Sequence, residues 1–278
     1  MKDTILFGDC RETLSQIDEK VRMCVTSPPY YGLRNYGDES NQIGQEDTPE
    51  EYIQNLVNIF RSVRNCLSDD GTLWVNIGDS YYNYRPGKGQ ALVQQSVSKS
   101  KQDLPEKCAR RGNKLEGLKE KDLIGIPWML AFALRADGWY LRQDIIWHKS
   151  NPMPESVRDR CTKSHEYMFL LSKSQNYYFD VDVIKEPTRR KRSVWNVSTK
   201  PYKGSHFAVF PPELITPCIL ASSEENDIIL DPFIGSGTTA MVAKELGRYY
   251  IGCELHEDYG NLIRNRVGEV RGDLKEFL

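Results

Sequence analysis

Two clusters of residues in this chain combine types that could hold and activate a small planar group. The first is Thr26-Ser27-Pro28-Pro29-Tyr30, directly after the apolar run Val21 to Val25. Prolines fix φ and remove the backbone N–H, so carbonyls there accept hydrogen bonds without competing donors. Ser27 adds a hydroxyl and Tyr30 a flat ring. Together they suit a planar base with an exocyclic amino group: the ring stacks on the base, while the Ser27 hydroxyl and the Pro28 carbonyl accept the amine hydrogens. A Pro-Pro turn that merely closes a strand is the simpler alternative, and the second cluster weighs against it.

That cluster is Asp231-Pro232-Phe233-Ile234-Gly235-Ser236-Gly237-Thr238-Thr239, between the apolar strand pattern Ile228 to Leu230 and the helical pattern Ala240 to Leu246. A strand, a glycine-rich turn and a helix N-terminus form a corner for a cofactor, because glycine lets backbone approach the ligand and the helix end presents free N–H groups. The next apolar run, Tyr249 to Cys253, ends in Glu254, a carboxylate that can hold ribose hydroxyls. Gly-Ser-Gly-Thr-Thr-Ala also fits the dinucleotide fingerprint G-x-G-x-x-A. A nicotinamide site, however, seldom carries Asp-Pro-Phe before the glycines, and it leaves Ser27 to Tyr30 unexplained.

Taken together, the two clusters resemble the S-adenosylmethionine-dependent DNA amino-methyltransferases that act on cytosine N4 or adenine N6. Ser27 to Tyr30 matches that family's Ser/Asn/Asp-Pro-Pro-aromatic catalytic motif, and Asp231 to Thr239 its D-P-F-x-G-S-G-T-T cofactor motif. The catalytic motif comes first and the cofactor motif last, as in the permuted beta group. The stretch Lys203 to Pro211 is similar to that group's approach to the cofactor strand, and Asn76 to Asp79 and Trp147 to Lys149 stand where the family has lesser motifs. The resemblance runs from about Ile5 to Tyr259 and is weakest over Tyr81 to Lys121, which reads as an insertion.

The resemblance implies an α/β fold: a doubly wound, mostly parallel, seven-stranded sheet of the class I methyltransferase, Rossmann-like type, circularly permuted, with loop insertions for DNA recognition. It implies S-adenosylmethionine as cofactor and no metal. Ser27, Pro28, Pro29 and Tyr30 would be the catalytic residues. Asp9, His206, Phe207, Asp231, Pro232, Phe233, Gly235, Ser236, Gly237, Thr238 and Glu254 would contact the cofactor. Asp9 also has the spacing of a helix N-cap, and the two roles are compatible. Within the family, Ser at the first motif position goes mostly with cytosine N4, and Asp or Asn with adenine N6; a hydroxyl plus a carbonyl suits either amine.

The chemistry explains the parts. An exocyclic amine is a poor nucleophile because its lone pair is delocalised into the ring. Accepting both hydrogens at Ser27 and Pro28 frees that pair for direct in-line attack on the methyl group. No covalent enzyme–base intermediate is needed, and Cys24, inside a strand run, reads as core. A base in a duplex must be flipped out to reach such a site.

The net charge of −2 does not advertise nucleic acid, but its distribution does. Residues 81–122 form a basic insertion containing Arg110 and Arg111. Residues 150–203 hold a basic segment with Arg189, Arg190, Lys191 and Arg192. Both are candidate DNA-contact regions, where such residues supply affinity rather than sequence choice. Expected partners are double-stranded DNA and a cognate restriction endonuclease, with no membrane, the protein working as monomer or homodimer. The seven cysteines contain no C-x-x-C pair and several lie in apolar runs, so buried reduced thiols and a cytoplasmic setting are expected. An RNA or protein-glutamine methyltransferase, or a DNA-binding protein without turnover, are the other readings.

A single domain of 278 residues must position these clusters. The pattern predicts strands over Ile5 to Phe7, Val21 to Thr26, Thr72 to Val75 after an Asp70-Gly71 turn, Tyr140 to His148, Glu166 to Ser172, Ile228 to Leu230 and Tyr249 to Cys253. Helices are predicted near Arg11 to Ile17, over Pro49 to Cys66, Leu123 to Ala136, Pro211 to Ala221 and Ala240 to Leu246, and from Glu257 onward. Strands alternating with helices imply a mostly parallel sheet covered on both faces.

Overall fold

The computed structural model of the chain describes residues 1–32, 42–82, 115–199 and 210–268. The elements follow in the order β1 (Thr4–Phe7), α1 (Cys10–Thr13), β2 (Val21–Thr26), α2 (Pro49–Cys66), β3 (Leu67–Ile77), α3 (Ile126–Ala136), β4 (Tyr140–His148), β5 (His165–Ser172), β6 (Val194–Asn196), α4 (Pro212–Ser222), β7 (Ile228–Asp231), α5 (Thr238–Glu245), β8 (Tyr249–Glu254) and α6 (Tyr259–Gly268). The strands form one sheet in the order β1-β8-β7-β2-β3-β5-β4-β6. All neighbours are parallel except β5, which runs antiparallel to β3 and to β4. The expected doubly wound, mostly parallel sheet is therefore present, with one strand more than the seven implied by the resemblance. The extra strand is β6, which pairs with the end of β4. It is anchored by Trp195, whose buried ring lies 6.3 Å from that of Trp74. Three residues beside a basic run carry too little periodicity to read as a strand.

Alternation along each strand supplies both faces of the sheet. Val21 and Cys24 of β2 and Leu73, Val75 and Ile77 of β3 pack with Tyr52, Leu56, Phe60 and Val63 of α2 and with Leu130 and Leu134 of α3. Met23 and Val25 of β2 and Trp74 of β3 pack on the other face with Leu214, Ile215 and Ile219 of α4 and Val242 and Ala243 of α5. Helix α2 begins where its sequence requires. Thr48 and Glu51 form a reciprocal capping box and Pro49 occupies the first turn, which together satisfy N–H groups that a helix end otherwise leaves open.

Two boundaries differ from the sequence reading. Asp70-Gly71 is not a turn before a strand but a bulge within β3, where the register jumps from Val21↔Leu67 to Met23↔Thr72. The bulge closes because residue 71 has no side chain: a Cβ there would lie 2.9 Å from the Ser68 carbonyl oxygen and 3.1 Å from that of Arg22. Helix α3 starts at Ile126 rather than Leu123, because Asp79 caps it from a distance. The Asp79 carboxylate accepts from the Gly125 N–H at 3.0 Å and the Ile126 N–H at 3.1 Å.

The sheet has a topological switch point at its centre. β7 leads through α5 to β8 on one side, and its neighbour β2 leads through α2 to β3 on the other, with the two helices on opposite faces. Ligands of open α/β sheets bind in the crevice outside the carboxyl ends at such a point. No helix among the described residues is long and apolar enough to cross a membrane.

Candidate active site

Both motifs arrive at that crevice. β2 ends in Thr26 and runs directly into Ser27 to Tyr30, while β7 ends in Asp231. A single buried carboxylate ties them together. Asp231 accepts from the Thr26 hydroxyl at 2.5 Å, from the Thr239 hydroxyl at 2.6 Å and from the Phe233 N–H at 3.0 Å. It thus fastens the end of the catalytic strand to the turn and first helical residues of the cofactor corner. Burial raises the Asp231 carboxyl to about 6, although the three hydrogen bonds favour its charge.

The Ser27–Tyr30 platform is held from below and from the side. Pro28 is buried, whereas Ser27, Pro29 and Tyr30 remain partly accessible. The Tyr52 hydroxyl of α2 donates to the Pro29 carbonyl at 2.8 Å. Among the described residues no donor reaches the Pro28 carbonyl, the acceptor proposed from the sequence. The Tyr30 hydroxyl donates to Glu166 Oε2 at 2.6 Å, with Asn76 Oδ1 a more distant acceptor at 3.3 Å, and the Ser27 hydroxyl favours the ionised phenol. Burial and the Glu166 charge push the Tyr30 phenol well above its ordinary range, so it stays a donor. Its ring abuts Gly78, where a Cβ would come within 2.8 Å of Tyr30 Cε2. Asn76 donates to Glu166 and to the Tyr167 carbonyl, and Lys149 forms an ion pair with the other oxygen of Glu166.

Glu166, Asn76, Lys149 and Tyr52 are the participants that sequence reasoning missed or left without a role. One signal was available: Glu166 is a lone carboxylate at the head of the otherwise apolar strand β5. Cys24 stays in the core as expected, with burial holding its thiol well above the usual range. His148 and His165 pair across β4 and β5, and His148 Nδ1 lies 2.8 Å from Asn196 Oδ1.

In the cofactor corner much of the motif is scaffold. Pro232, Ser236, Gly237, Thr238 and Thr239 are buried, and Phe233 and Gly235 are the partly accessible positions. Ser236 accepts from Arg266 of α6 at 2.5 Å. Gly237 has a φ of +84° and a Cβ there would lie 2.9 Å from Ile263. The Thr238 hydroxyl is buried without a partner among the described residues. Glu254 ends β8 with its carboxylate accepting from the backbone of His256, Gly235 and Leu255, and burial raises it to about 7. Asp9 caps α1 through the Arg11 N–H and forms an ion pair with the Arg11 side chain, so the structural half of its two readings is present.

These groups fit a nucleoside cofactor. Glu254 retains acceptor capacity beside the accessible turn, Phe233 offers an apolar face, and the Thr238 hydroxyl has a polar need that no described residue meets.

Of the basic segment, the run Arg189 to Arg192 is set back from this edge by a few residues. Arg189 to Arg192 precede β6, whose first residue pairs with Ile146, before the end of β4. Arg189 is paired with Glu186, and Lys191 lies over the Trp195 ring; Arg190 and Arg192 are exposed. Arg110, Arg111, His206 and Phe207 lie outside the described residues. A hollow lined by Arg64, Gly138, Trp139 and Lys173 sits at the opposite, amino-terminal end of the strands.

A family model described as DNA methylase matches residues 21–265. The chain is 51% identical over 271 residues to the type II methyltransferase M.SmaI of Serratia marcescens, covering 95% of this chain and 90% of that protein. It is 48% identical over 270 residues to M.Cfr9I of Citrobacter freundii, covering 95% and 87%. Among solved structures, it is similar to the cytosine-N4-specific PvuII DNA methyltransferase, with a TM-score of 0.71 and 18% identity over 96% of this chain and 86% of that one. A putative DNA modification methylase of Thermus thermophilus, solved with S-adenosyl-L-methionine, gives a TM-score of 0.66 at 24% identity, covering 96% and 93%.

Proposed function

This chain belongs to the DNA methylase family of amino-methyltransferases, and from that premise we propose that it methylates N4 of a cytosine flipped out of duplex DNA. The observation that carries this reading is the Asp231 clamp. One buried carboxylate holds Thr26, next to Ser27, and Thr239, in the cofactor corner, at a fixed separation. Acceptors for an amine and a pocket for its methyl donor are thereby built into one rigid unit, the condition for efficient transfer between two bound groups.

S-adenosylmethionine supplies an electrophilic methyl group on its sulfonium. The residues that would hold it are Glu254, Phe233 and the backbone at Gly235, with Asp9 at the end of the adjoining strand. The chain's own work is on the amine. The Ser27 hydroxyl and the open Pro28 carbonyl accept its hydrogens and hold the nitrogen lone pair out of the ring. Tyr30, fixed through its hydroxyl by Glu166, presents its ring face to the base. Asp231, the prolines and Tyr52 keep the acceptors still, so little reorganisation accompanies transfer.

Serine at position 27 supports cytosine over adenine, in line with the family tendency. Exposed Arg190 and Arg192 are candidate phosphate contacts on a flank of the catalytic edge, and Arg110 and Arg111 in the insertion are further candidates. The type II relatives support a further role, protection of a site that a companion endonuclease cuts. Methyl transfer from labelled S-adenosylmethionine to mixed-sequence duplex DNA, followed by nucleoside mass analysis, tests the reading. N4-methylcytosine is expected. N6-methyladenine would overturn the base assignment, and absence of transfer to DNA would overturn the substrate.

A further inference from the structure

Methylation of an amine leaves a problem that the two acceptors do not solve. The nitrogen becomes positively charged on gaining the methyl group and must lose a proton, yet neither Ser27 nor the Pro28 carbonyl is a base. Behind Ser27 the Tyr30 hydroxyl leads to a carboxylate. The Ser27 hydroxyl is placed to favour the ionised form of the Tyr30 phenol, and the Tyr30 hydroxyl donates to Glu166 Oε2 at 2.6 Å, with Asn76 Oδ1 a more distant acceptor at 3.3 Å. Glu166 is only 14% exposed, and its other oxygen is occupied by Lys149, so the carboxylate is held with Oε2 toward Tyr30. An amine hydrogen donated to Ser27 would complete a line of donors ending on an anion.

We propose that Glu166 takes up, through Ser27 and Tyr30, the proton that the target amine loses on methylation. The inference rests on the amine-methylation reading above. The step balances. The N–CH3 bond forms as the S–CH3 bond breaks, and the electron pair of that bond stays on sulfur. The amine nitrogen then gives one proton to Ser27 Oγ, Ser27 passes its own hydroxyl proton to Tyr30 Oη, and Tyr30 passes its proton to Glu166 Oε2. Ser27 and Tyr30 end as they began, the sulfonium and the carboxylate have both become neutral, and Glu166 later returns its proton to solvent. Glu166 acts through Tyr30 and does not touch the base. Lys149 and Asn76 are positioning residues for it.

Single-turnover methyl transfer to duplex DNA in the wild type, E166Q, E166A and Y30F tests the relay, with cofactor and DNA affinities measured separately by titration. E166Q keeps the shape of the side chain but cannot accept a proton. The expected result is a roughly 10²-fold slower transfer in E166Q and in Y30F, the size usual for a lost proton acceptor, with both affinities within about twofold of wild type. Acetate should accelerate E166A several-fold where chloride at equal ionic strength does not. In the free protein, E166Q should move the titration of one tyrosine downward in ultraviolet absorbance, and Y30F should remove that transition. Wild-type rates in E166Q, a loss confined to DNA affinity, or equal effects of acetate and chloride would each overturn the relay while leaving the methyltransferase reading in place. If E166A does not fold, E166Q and Y30F decide the matter. A wild-type protein that methylates no DNA would instead bring down the functional reading, and the relay with it.

Discussion

The platform at Ser27–Tyr30 and the corner at Asp231–Thr239 use their motif letters in opposite ways. In the platform, Ser27, Pro29 and Tyr30 stay partly accessible and no donor among the described residues reaches the Pro28 carbonyl, while the support comes from elsewhere: Tyr52, Asn76, Lys149 and Glu166. In the corner, the motif supplies its own support. Asp231 is 1% exposed and turns both oxygens inward, Ser236 is held by Arg266, and Phe233 and Gly235 are left to face the crevice. A platform must leave lone pairs free for chemistry, so its rigidity is imported. A corner that binds largely through backbone and shape can spend its side chains on itself.

The contrast breaks most sharply at Ser27. Ser27→Ala should lower single-turnover methyl transfer on the order of 10²–10³-fold, the range seen when one group that stabilises a transition state is removed, with cofactor affinity unchanged. Equal losses in both would put Ser27 in the binding machinery instead. Asp231→Ala should show the reverse profile. It strands the buried hydroxyls of Thr26 and Thr239, at about 1–3 kcal/mol for each unsatisfied group, so thermal stability and cofactor affinity should fall together. Calorimetry that finds the variant as stable as wild type would refute the clamp.

A smaller effect follows from Glu254, whose carboxyl is raised to about 7 by burial. With ribose hydroxyls donating to the carboxylate form, as proposed, cofactor affinity should rise with pH through 7, by roughly tenfold between pH 6 and 8. In E254Q the affinity should be lower and independent of pH, as isothermal titration would show. Stability has the opposite sign. Asp231 and Glu254 bind protons more tightly folded than unfolded, with carboxyls at about 6 and about 7 against ordinary values of 3.8 and 4.5. Their contribution is fully present below about pH 4 and is lost as pH rises through 6 to 7. The melting temperature of the cofactor-free protein should therefore carry a component that declines over that window and is reduced in D231N. Smallest of all should be the loss in R190A/R192A. If these exposed residues touch phosphate, DNA affinity falls a few-fold for all sequences and the salt slope drops by about 1 per contact, with the chemical step unchanged.

Much of the fold is legible from local pattern. Val21–Thr26 and Pro49–Cys66 have the boundaries that their periodicity and flanking residues predict, because an uninterrupted apolar run and a capped amphipathic stripe are both local signals. β6 and the Asp70-Gly71 bulge were not legible. One is three residues long and exists through a neighbouring strand, and the other depends on how closely two backbones approach. The site divides the same way. Ser27 to Tyr30, Asp231 to Thr239 and Glu254 announce themselves by residue type after an apolar strand. Glu166 and Tyr52 do not, since their roles rest on hydrogen bonds to Tyr30 and Pro29 across long stretches of chain.

By itself, then, the sequence determined which backbone segments become strands and helices and which short motifs end at the sheet's edge, because periodicity, prolines and glycines act within a few residues of themselves. Only the tertiary structure decided that Asp231 would join the two motifs, and that Glu166 and Lys149 would stand behind Tyr30. It also left Arg189 to Arg192 set back from the catalytic edge. Those outcomes depend on strand order and register, which bring together side chains far apart in the chain, and whether a carboxylate serves chemistry or packing is settled by the groups that reach it in space.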